Sequence, residues 1–333
     1  MKIIVPMAGI GKRMRPHTLT VPKPLIPVAG KPIVQHLAES LMRACNETPD
    51  EIAFVTGNFG TEADNKLLEI SKNIGIKGTI YYQTEALGTA HAILCAAESL
   101  TGPVIVAFAD TLFKAGFKID ADKDSIIWVH KVQNPSEFGV VTTDEENMIT
   151  GFVEKPKEFV SDLAIIGIYY FKSGENLRKE LQYLIDNNII KSGEYQLTDA
   201  LKNMLNKDMG FYAEYVDEWL DCGNKDATVH TNQRMLELCD KKDLIAPSAI
   251  ITNSVIKEPC FIGENVVISD SVIGPHVSIG NNTQIINSII TNSIVQEHSL
   301  INDANLDNSM IGNFVDFKGI LNELSIGDYT SMC

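Results

Sequence analysis

The chain has 333 residues, 44% of them hydrophobic, with 28 basic and 43 acidic side chains and a formal net charge of −15. Two domains are the better expectation at this length, and the aliphatic content suffices for a substantial core. The acidic balance argues against a nucleic-acid-binding surface. No apolar run approaches bilayer length and Lys2 opens a short strand rather than a secretory leader, so a cytoplasmic location without membrane attachment is expected.

From the N-terminus to about Leu238, apolar runs alternate with helix-period segments, as a mostly parallel sheet between helices requires. Strands are expected at Lys2–Met7, Ile52–Thr56, Gly78–Gln83, Val104–Phe108, Ile126–His130, Gly139–Thr142, Ile149–Glu154, Ile165–Phe171 and Tyr212–Val216. Helices are expected at Pro32–Cys45, Thr61–Asn73, Thr89–Ser99, Glu175–Leu184, Gln196–Leu205 and Asp226–Leu238. The stretch from Ile126 to Phe171 reads as an antiparallel insertion with a turn near Asp144-Glu145-Glu146-Asn147.

After the charged run Asp240-Lys241-Lys242-Asp243, helical periodicity vanishes. Aliphatics recur at short intervals, at Ile262, Ile268, Ile273, Ile279, Ile285 and Ile290. Gly263, Gly274 and Gly280 follow three of these, and Gly312 and Gly327 follow Ile311 and Ile326. This is the hexapeptide signature of a parallel β-helix, with each aliphatic in the core and the next residue at a corner. An ordinary sandwich with Asn/Ser/Gly turns explains that phase less well.

The opening strand runs into Ala8-Gly9-Ile10-Gly11-Lys12-Arg13-Met14, and Val21-Pro22-Lys23-Pro24-Leu25 follows. Glycines that permit close backbone approach, beside three cations, point to a polyphosphate. A dinucleotide fingerprint needs a third glycine where Met14 stands, and a Walker loop needs a hydroxyl where Arg13 stands. A third template, roughly G-x-G-[TSK]-R-[LMF] with K-P-[LM]-x-P downstream, matches at Gly9 to Met14 and again at Lys23-Pro24-Leu25-Ile26-Pro27.

On these two segments the chain resembles the sugar-1-phosphate nucleotidyltransferases, the family of glucose-1-phosphate thymidylyltransferase and its UTP- and ATP-using relatives. Gln83-Thr84-Glu85-Ala86-Leu87-Gly88-Thr89-Ala90 resembles the family's base-recognition segment. Ala109-Asp110 and Trp219-Leu220-Asp221-Cys222-Gly223 resemble its two metal aspartates. Phe138-Gly139-Val140-Val141, Glu154-Lys155-Pro156 and Ala164-Ile165-Ile166-Gly167 resemble its sugar-phosphate pocket. Departures are Ala8 for a glycine, Lys12 for a threonine, and Ala109 before Asp110.

The resemblance implies an α/β fold class: a Rossmann-like mixed, mostly parallel sheet nucleotidyltransferase domain over residues 1–240, and a short left-handed parallel β-helix over residues 241–333. It implies Mg²⁺-dependent transfer of a nucleoside monophosphate from dTTP or UTP to a sugar-1-phosphate, with glucose-1-phosphate as the expected acceptor. Arg13 and Lys23 are the expected catalytic cations. Ala8, Gly9, Gly11, Lys12, Arg13, Gln83, Gly88 and Thr89 would bind the nucleotide. Gly139, Glu154, Lys155 and Gly167 would bind the sugar phosphate, and Asp110 and Asp221 the metal. Two alternatives are a bifunctional N-acetylglucosamine-1-phosphate uridylyltransferase/acetyltransferase and a non-catalytic regulatory subunit of the same fold. Neither the six scattered cysteines nor the seven histidines form a metal cluster. A homo-oligomer is expected, because β-helix edges invite covering.

Overall fold

The computed structural model describes residues 1–114, 116, 118–191, 193–239 and 244–319. Its contacts divide the chain into two compact units, one of Met1–Ile26 with Pro32–Gly223 and one of Pro27–Lys31 with the described residues from Asn224 onward. The expected boundary at residue 240 falls beyond a helix that belongs to the second unit. Asp240 to Asp243 and the Ile326-Gly327 repeat lie outside the described residues.

The first unit is built on a nine-stranded mixed sheet. Its strands, in chain order, are β1 (Lys2–Pro6), β2 (Glu51–Thr56), β3 (Lys77–Tyr82) and β4 (Val104–Ala107), with β5 (Thr111–Lys114) lying off the sheet. They continue with β6 (Ser125–Lys131), β7 (Gly139–Thr143), β8 (Ile149–Glu154), β9 (Leu163–Phe171) and β10 (Phe211–Tyr215). Strand β11 (Glu218–Asp221) also lies off the sheet and pairs antiparallel with β5. Ile3, Ile4 and Val5 of β1 are buried at the centre, where β1 pairs in parallel with both β2 and β4, and β2 with β3. Buried on both faces, β1 reads as a continuous apolar run rather than an alternation. Because these four strands share one direction, their carboxyl ends and the loops that follow them lie along one edge.

The antiparallel half forms around β9, which pairs with β4, β6 and β7. The β7–β8 turn is as expected: the Asp144 carboxylate accepts from the Glu146 and Met148 N–H groups, and Asn147 takes a left-handed φ of 62°. The helices are α1 (Ile33–Ala44), α2 (Thr61–Asn73), α3 (Thr89–Leu94), α4 (Gly174–Asp186) and α5 (Leu197–Leu205). Helix α3 is shorter than its apolar spacing suggests, because Ala96 and Ala97 donate to Ile93 and Leu94 and the chain tightens into turns. No helix among the described residues is long and apolar enough to cross a membrane.

The second unit is a short left-handed parallel β-helix with helix α6 (Lys225–Leu238) and the Pro27–Lys31 segment packed on it. Three stacked sheets form its faces. Ile251, Ile268, Ile285, Ile301 and Phe317 lie in register on one of them. Equivalent residues are 17 apart in the first coils and 16 apart in the later ones, so the repeat shortens along the stack. The left-handed corners are filled mainly by Asn253, Asp270, Asn287 and Asp303 and by Asn265 and Asn282, with Gly274 as the glycine among them. Short polar side chains tolerate that conformation and bond up the stack, as Asn253 Nδ2 does to Asp270 Oδ1 at 2.5 Å. Gly263 and Gly280 serve close approach instead: a Cβ on Gly280 would lie 2.7 Å from the Glu297 amide nitrogen.

Inside the coils, hydroxyls form a second ladder. The Ser288 hydroxyl donates to Ile286 O at 2.7 Å and accepts from the Ala304 N–H at 3.1 Å, in a buried position. Ser288→Ala should strand that N–H in the core and destabilise the unit by about 1–3 kcal/mol. Urea unfolding followed by circular dichroism would report it as a lower midpoint; an unchanged midpoint would mean the hydroxyl is dispensable.

Candidate active site

The site starts where β1 ends. Gly11 has φ 60° and ψ 42°, and a Cβ there would lie 3.0 Å from Thr18 Cγ2 and 3.2 Å from Lys23 Cβ. Glycine is needed both for the backbone angle and for the space. Thr18 closes the turn by donating to Gly11 O at 2.8 Å. A 3-10 turn over Lys12–Met14 follows, with Met14 buried as its anchor and Lys12 and Arg13 exposed. Gly9 differs, since a Cβ there would meet nothing within 4 Å. Its missing side chain leaves open space above the loop.

Lys23 opens a second 3-10 turn, Lys23–Leu25, between Pro22 and Pro24. Its side chain is mostly buried, and its ammonium donates to Asp110 Oδ2 at 2.8 Å. Asp110 follows β4 on a turn braced from β9: Phe108 N–H donates to Gly167 O at 2.9 Å, and Thr111 Oγ1 to Ile166 O at 2.7 Å. Gly167, at φ 88°, supports that turn; a Cβ there would sit 3.4 Å from both Phe108 Cβ and Thr111 Oγ1.

Asp221 ends β11 directly opposite Thr111 in the β5–β11 pair, and Cys222 N–H donates to Asp110 O at 3.0 Å. This short antiparallel pair brings two aspartates distant in sequence close together. Burial, and then the like charge of Asp110, raise the Asp221 carboxyl above the ordinary carboxylate range, with the Gly223 N–H, Lys23 and Arg13 pulling the other way. A Cβ on Gly223 would lie 2.7 Å from Asp221 Oδ2 and 3.2 Å from Arg13 Nη2. Asp110 and Asp221 are the pair able to hold a divalent cation; among the described residues, no group of three or more His, Cys, Asp or Glu side chains is so arranged.

The third wall is the turn after β3. Gln83 Nε2 donates to Gly88 O at 3.0 Å and lies 3.0 Å from His91 Nδ1. Gly88, at φ 107°, has no room for a side chain, because a Cβ would lie 2.6 Å from Tyr195 O. The turn is stitched to a distant segment: Tyr195 N–H donates to Leu87 O at 2.8 Å, Ala90 N–H to Tyr195 O at 3.0 Å, and Leu197 N–H to Thr89 Oγ1 at 3.0 Å.

One cavity of about 410 Å³ is lined by Ala8, Gly9, Gly11, Lys12, Arg13, Lys23, Gln83, Gly88, Thr89 and Asp110 together. Gly139, Glu154, Lys155, Gly167 and Asp221 do not line it, although Gly223, two residues beyond Asp221, does. Gly139 and Glu154 are register partners on β7 and β8, and Glu154 Oε2 accepts from Thr198 Oγ1 at 2.7 Å. Lys155 takes a left-handed φ of 43° while its N–H donates to Phe138 O at 3.1 Å, a conformation that costs a non-glycine residue and recurs at functional sites. Sequence reading missed three residues here: Glu194, which lines the cavity, His91, which holds Gln83, and Thr198, which holds Glu154. The run Gly193-Glu194-Tyr195-Gln196-Leu197-Thr198-Asp199, with four polar residues at a helix start, was the available signal.

Residues 2–237 match the family model described as Nucleotidyl transferase. The chain is 31% identical over 251 residues to a Haloferax volcanii low-salt glycan biosynthesis nucleotidyltransferase, Agl11, covering 71% of this chain and 66% of that protein. It is 31% identical over 260 residues to the bifunctional protein GlmU of Methanocaldococcus jannaschii, covering 78% and 60% respectively. The chain thus spans about 60–66% of the length of these curated relatives. A crystal structure of UDP-glucose pyrophosphorylase complexed with UDP-glucose superposes with a TM-score of 0.59 at 25% identity, over 72% of this chain and 99% of that one. With the family match running through every wall of the cavity, this chain belongs to the nucleotidyl transferase family.

Proposed function

We propose that the chain transfers a nucleoside monophosphate from dTTP or UTP to a sugar-1-phosphate, with glucose-1-phosphate as the leading acceptor. A phosphate oxygen of the sugar-1-phosphate forms a bond to the α-phosphorus, the bond from that phosphorus to the bridging oxygen breaks, and pyrophosphate leaves with the electron pair. Both reactants are polyanions, so the protein's task is neutralisation and alignment. The carrying observation is the single cavity where a glycine turn, Lys12, Arg13, Lys23, Asp110 and Gln83 converge.

Arg13 offers a planar fork to the β- and γ-phosphates, and Lys23 a held point charge to the α-phosphate. Glu154 and Gly139 are assigned to sugar hydroxyls and Lys155 to the sugar phosphate. Two facing carboxylates, one of them disfavoured as an anion, fit Mg²⁺, which takes oxygen ligands and keeps water and substrate oxygens in its remaining positions. Bound there, it would neutralise phosphate charge. A cytoplasmic homo-oligomer belongs to the same proposal, with Ile250, Val255 and Ile289 exposing apolar surface on the coils.

A second reading is favoured by the relatives named bifunctional protein GlmU: an N-acetylglucosamine-1-phosphate uridylyltransferase whose coils transfer an acetyl group. The histidines such a transfer could use are His276, whose Nε2 lies 3.0 Å from Glu237 Oε1, and His298, stacked on Phe314 with ring centroids 4.8 Å apart. A non-catalytic regulatory subunit would be expected to lack Arg13, Lys23 or one of the aspartates, and all are present. The test is a matrix of triphosphates against sugar-1-phosphates with pyrophosphate release as readout. The largest signal is expected with dTTP or UTP and glucose-1-phosphate. ATP or GTP as the best donor would overturn the assignment, and consumption of acetyl-coenzyme A with glucosamine-1-phosphate would establish the second reading.

A further inference from the structure

A glutamine amide facing an open cavity can turn over, exchanging one acceptor for two donors. At Gln83 its neighbours fix the direction. Nε2 carries two hydrogens; Gly88 O takes one at 3.0 Å, and His91 Nδ1 lies 3.0 Å away to take the other. A carbonyl can only accept. His91 Nδ1 accepts when the imidazole is neutral with its proton on Nε2. Burial favours that neutral form, lowering the pKa against the opposing pull of Glu85. The Cys95 thiol, 3.9 Å from the same Nδ1, is too long and weak a contact to displace an amide donor.

We propose that His91, standing behind Gln83 and outside the cavity lining, is a positioning residue that keeps Gln83 Oε1 turned toward the nucleotide base. An outward acceptor selects a base with an N–H at position 3, uracil or thymine. It leaves cytosine, which has no hydrogen there, facing acceptor to acceptor. Turning the amide over would reverse the preference. The inference rests on the pyrimidine-nucleotide reading above and adds the residue that sets the choice between pyrimidines.

The test is calorimetric binding of UTP and CTP, without a sugar phosphate, to the full chain and three variants. His91→Ala and His91→Phe both remove the acceptor, the second while retaining ring volume, and His91→Asn keeps an oxygen near the Nδ1 position. Wild type should bind UTP about tenfold or more tighter than CTP, since an unmatched buried polar pair costs that much. His91→Ala and His91→Phe should bring the two within about threefold, mainly by weakening UTP, and His91→Asn should restore the preference. In turnover assays the loss should fall on KM for the triphosphate, with kcat at saturation unchanged. A folded His91→Phe protein that keeps the wild-type UTP-to-CTP ratio would sink the proposal. A wild type that prefers purine triphosphates to both pyrimidines would instead overturn the pyrimidine reading, and the proposal with it.

Discussion

Asp110→Asn is expected to lower turnover by about a thousandfold while leaving the fold intact. The substitution keeps shape and hydrogen-bonding capacity but removes the charge that Lys23 holds at 2.8 Å and that faces Asp221. Asp221→Asn should cost a comparable factor, with an added signature in stability. The Asp221 carboxyl is raised in the folded state, so the fold binds its proton more tightly than the unfolded chain does. Its contribution favours folding at low pH and is lost as pH rises through the folded value. Asn cannot ionise, so the variant should melt higher than wild type at neutral pH in a metal-free buffer, and added Mg²⁺ should stabilise the wild type alone. Binding of Mg²⁺ to the wild type should weaken as pH falls, because Asp221 must give up its proton to act as a ligand. Near-normal rates for Asp110→Asn in saturating Mg²⁺ would remove this pair from the mechanism.

Gly88→Ala should reduce kcat/KM by about a hundredfold and lower stability by about 2–4 kcal/mol, through the strained φ and the stranded backbone groups. The added methyl would meet backbone, at 2.6 Å from Tyr195 O and 2.8 Å from Tyr195 N, at a φ of 107° that side chains rarely adopt. Neither atom is the end of a flexible side chain, so the turn and its partner segment must separate. That would break the bonds from Tyr195 to Leu87 and from Ala90 to Tyr195, and release Gln83 from Gly88 O. The measurement is steady-state kinetics against triphosphate concentration, beside a melting curve. A melted protein would mean the turn supports the whole unit, and unchanged kinetics would mean the base wall lies elsewhere.

Much of this was legible in the sequence because each local signal agreed with its surroundings. The run Lys2-Ile3-Ile4-Val5 marked a strand, which the fold places at the centre of the sheet, and the two glycines with Lys12 and Arg13 beyond it marked a loop, which lines the cavity. Thr61–Asn73 carries its acidic first turn and apolar stripe, and its helix has those bounds. The short strands β5 and β11 were not legible. Each has four residues, one starting just after Asp110 and the other ending on Asp221, and finds its partner across the sequence, so neither has a period of its own to display. Glu194, His91 and Thr198 were missed for the same reason: their importance comes from pairings made by the tertiary fold. In the coils the aliphatic phase was plain, but the corners were assigned to glycine, whereas asparagine and aspartate take most of them.

The coil stack bears on how such a chain can change over generations. Within the stack each turn of the prism bonds to the turn before and the turn after, as where Ile250 N–H donates to Val266 O and Val267 N–H to Thr283 O, while helix α6 bonds to its side. No residue inside it depends on the total number of turns. A duplication or deletion of one whole turn would therefore pass its new ends into the same ladder of serines and asparagines. Length in this part of the molecule is an adjustable dimension, free to drift or be selected while the chemistry at the glycine loop stays as it is.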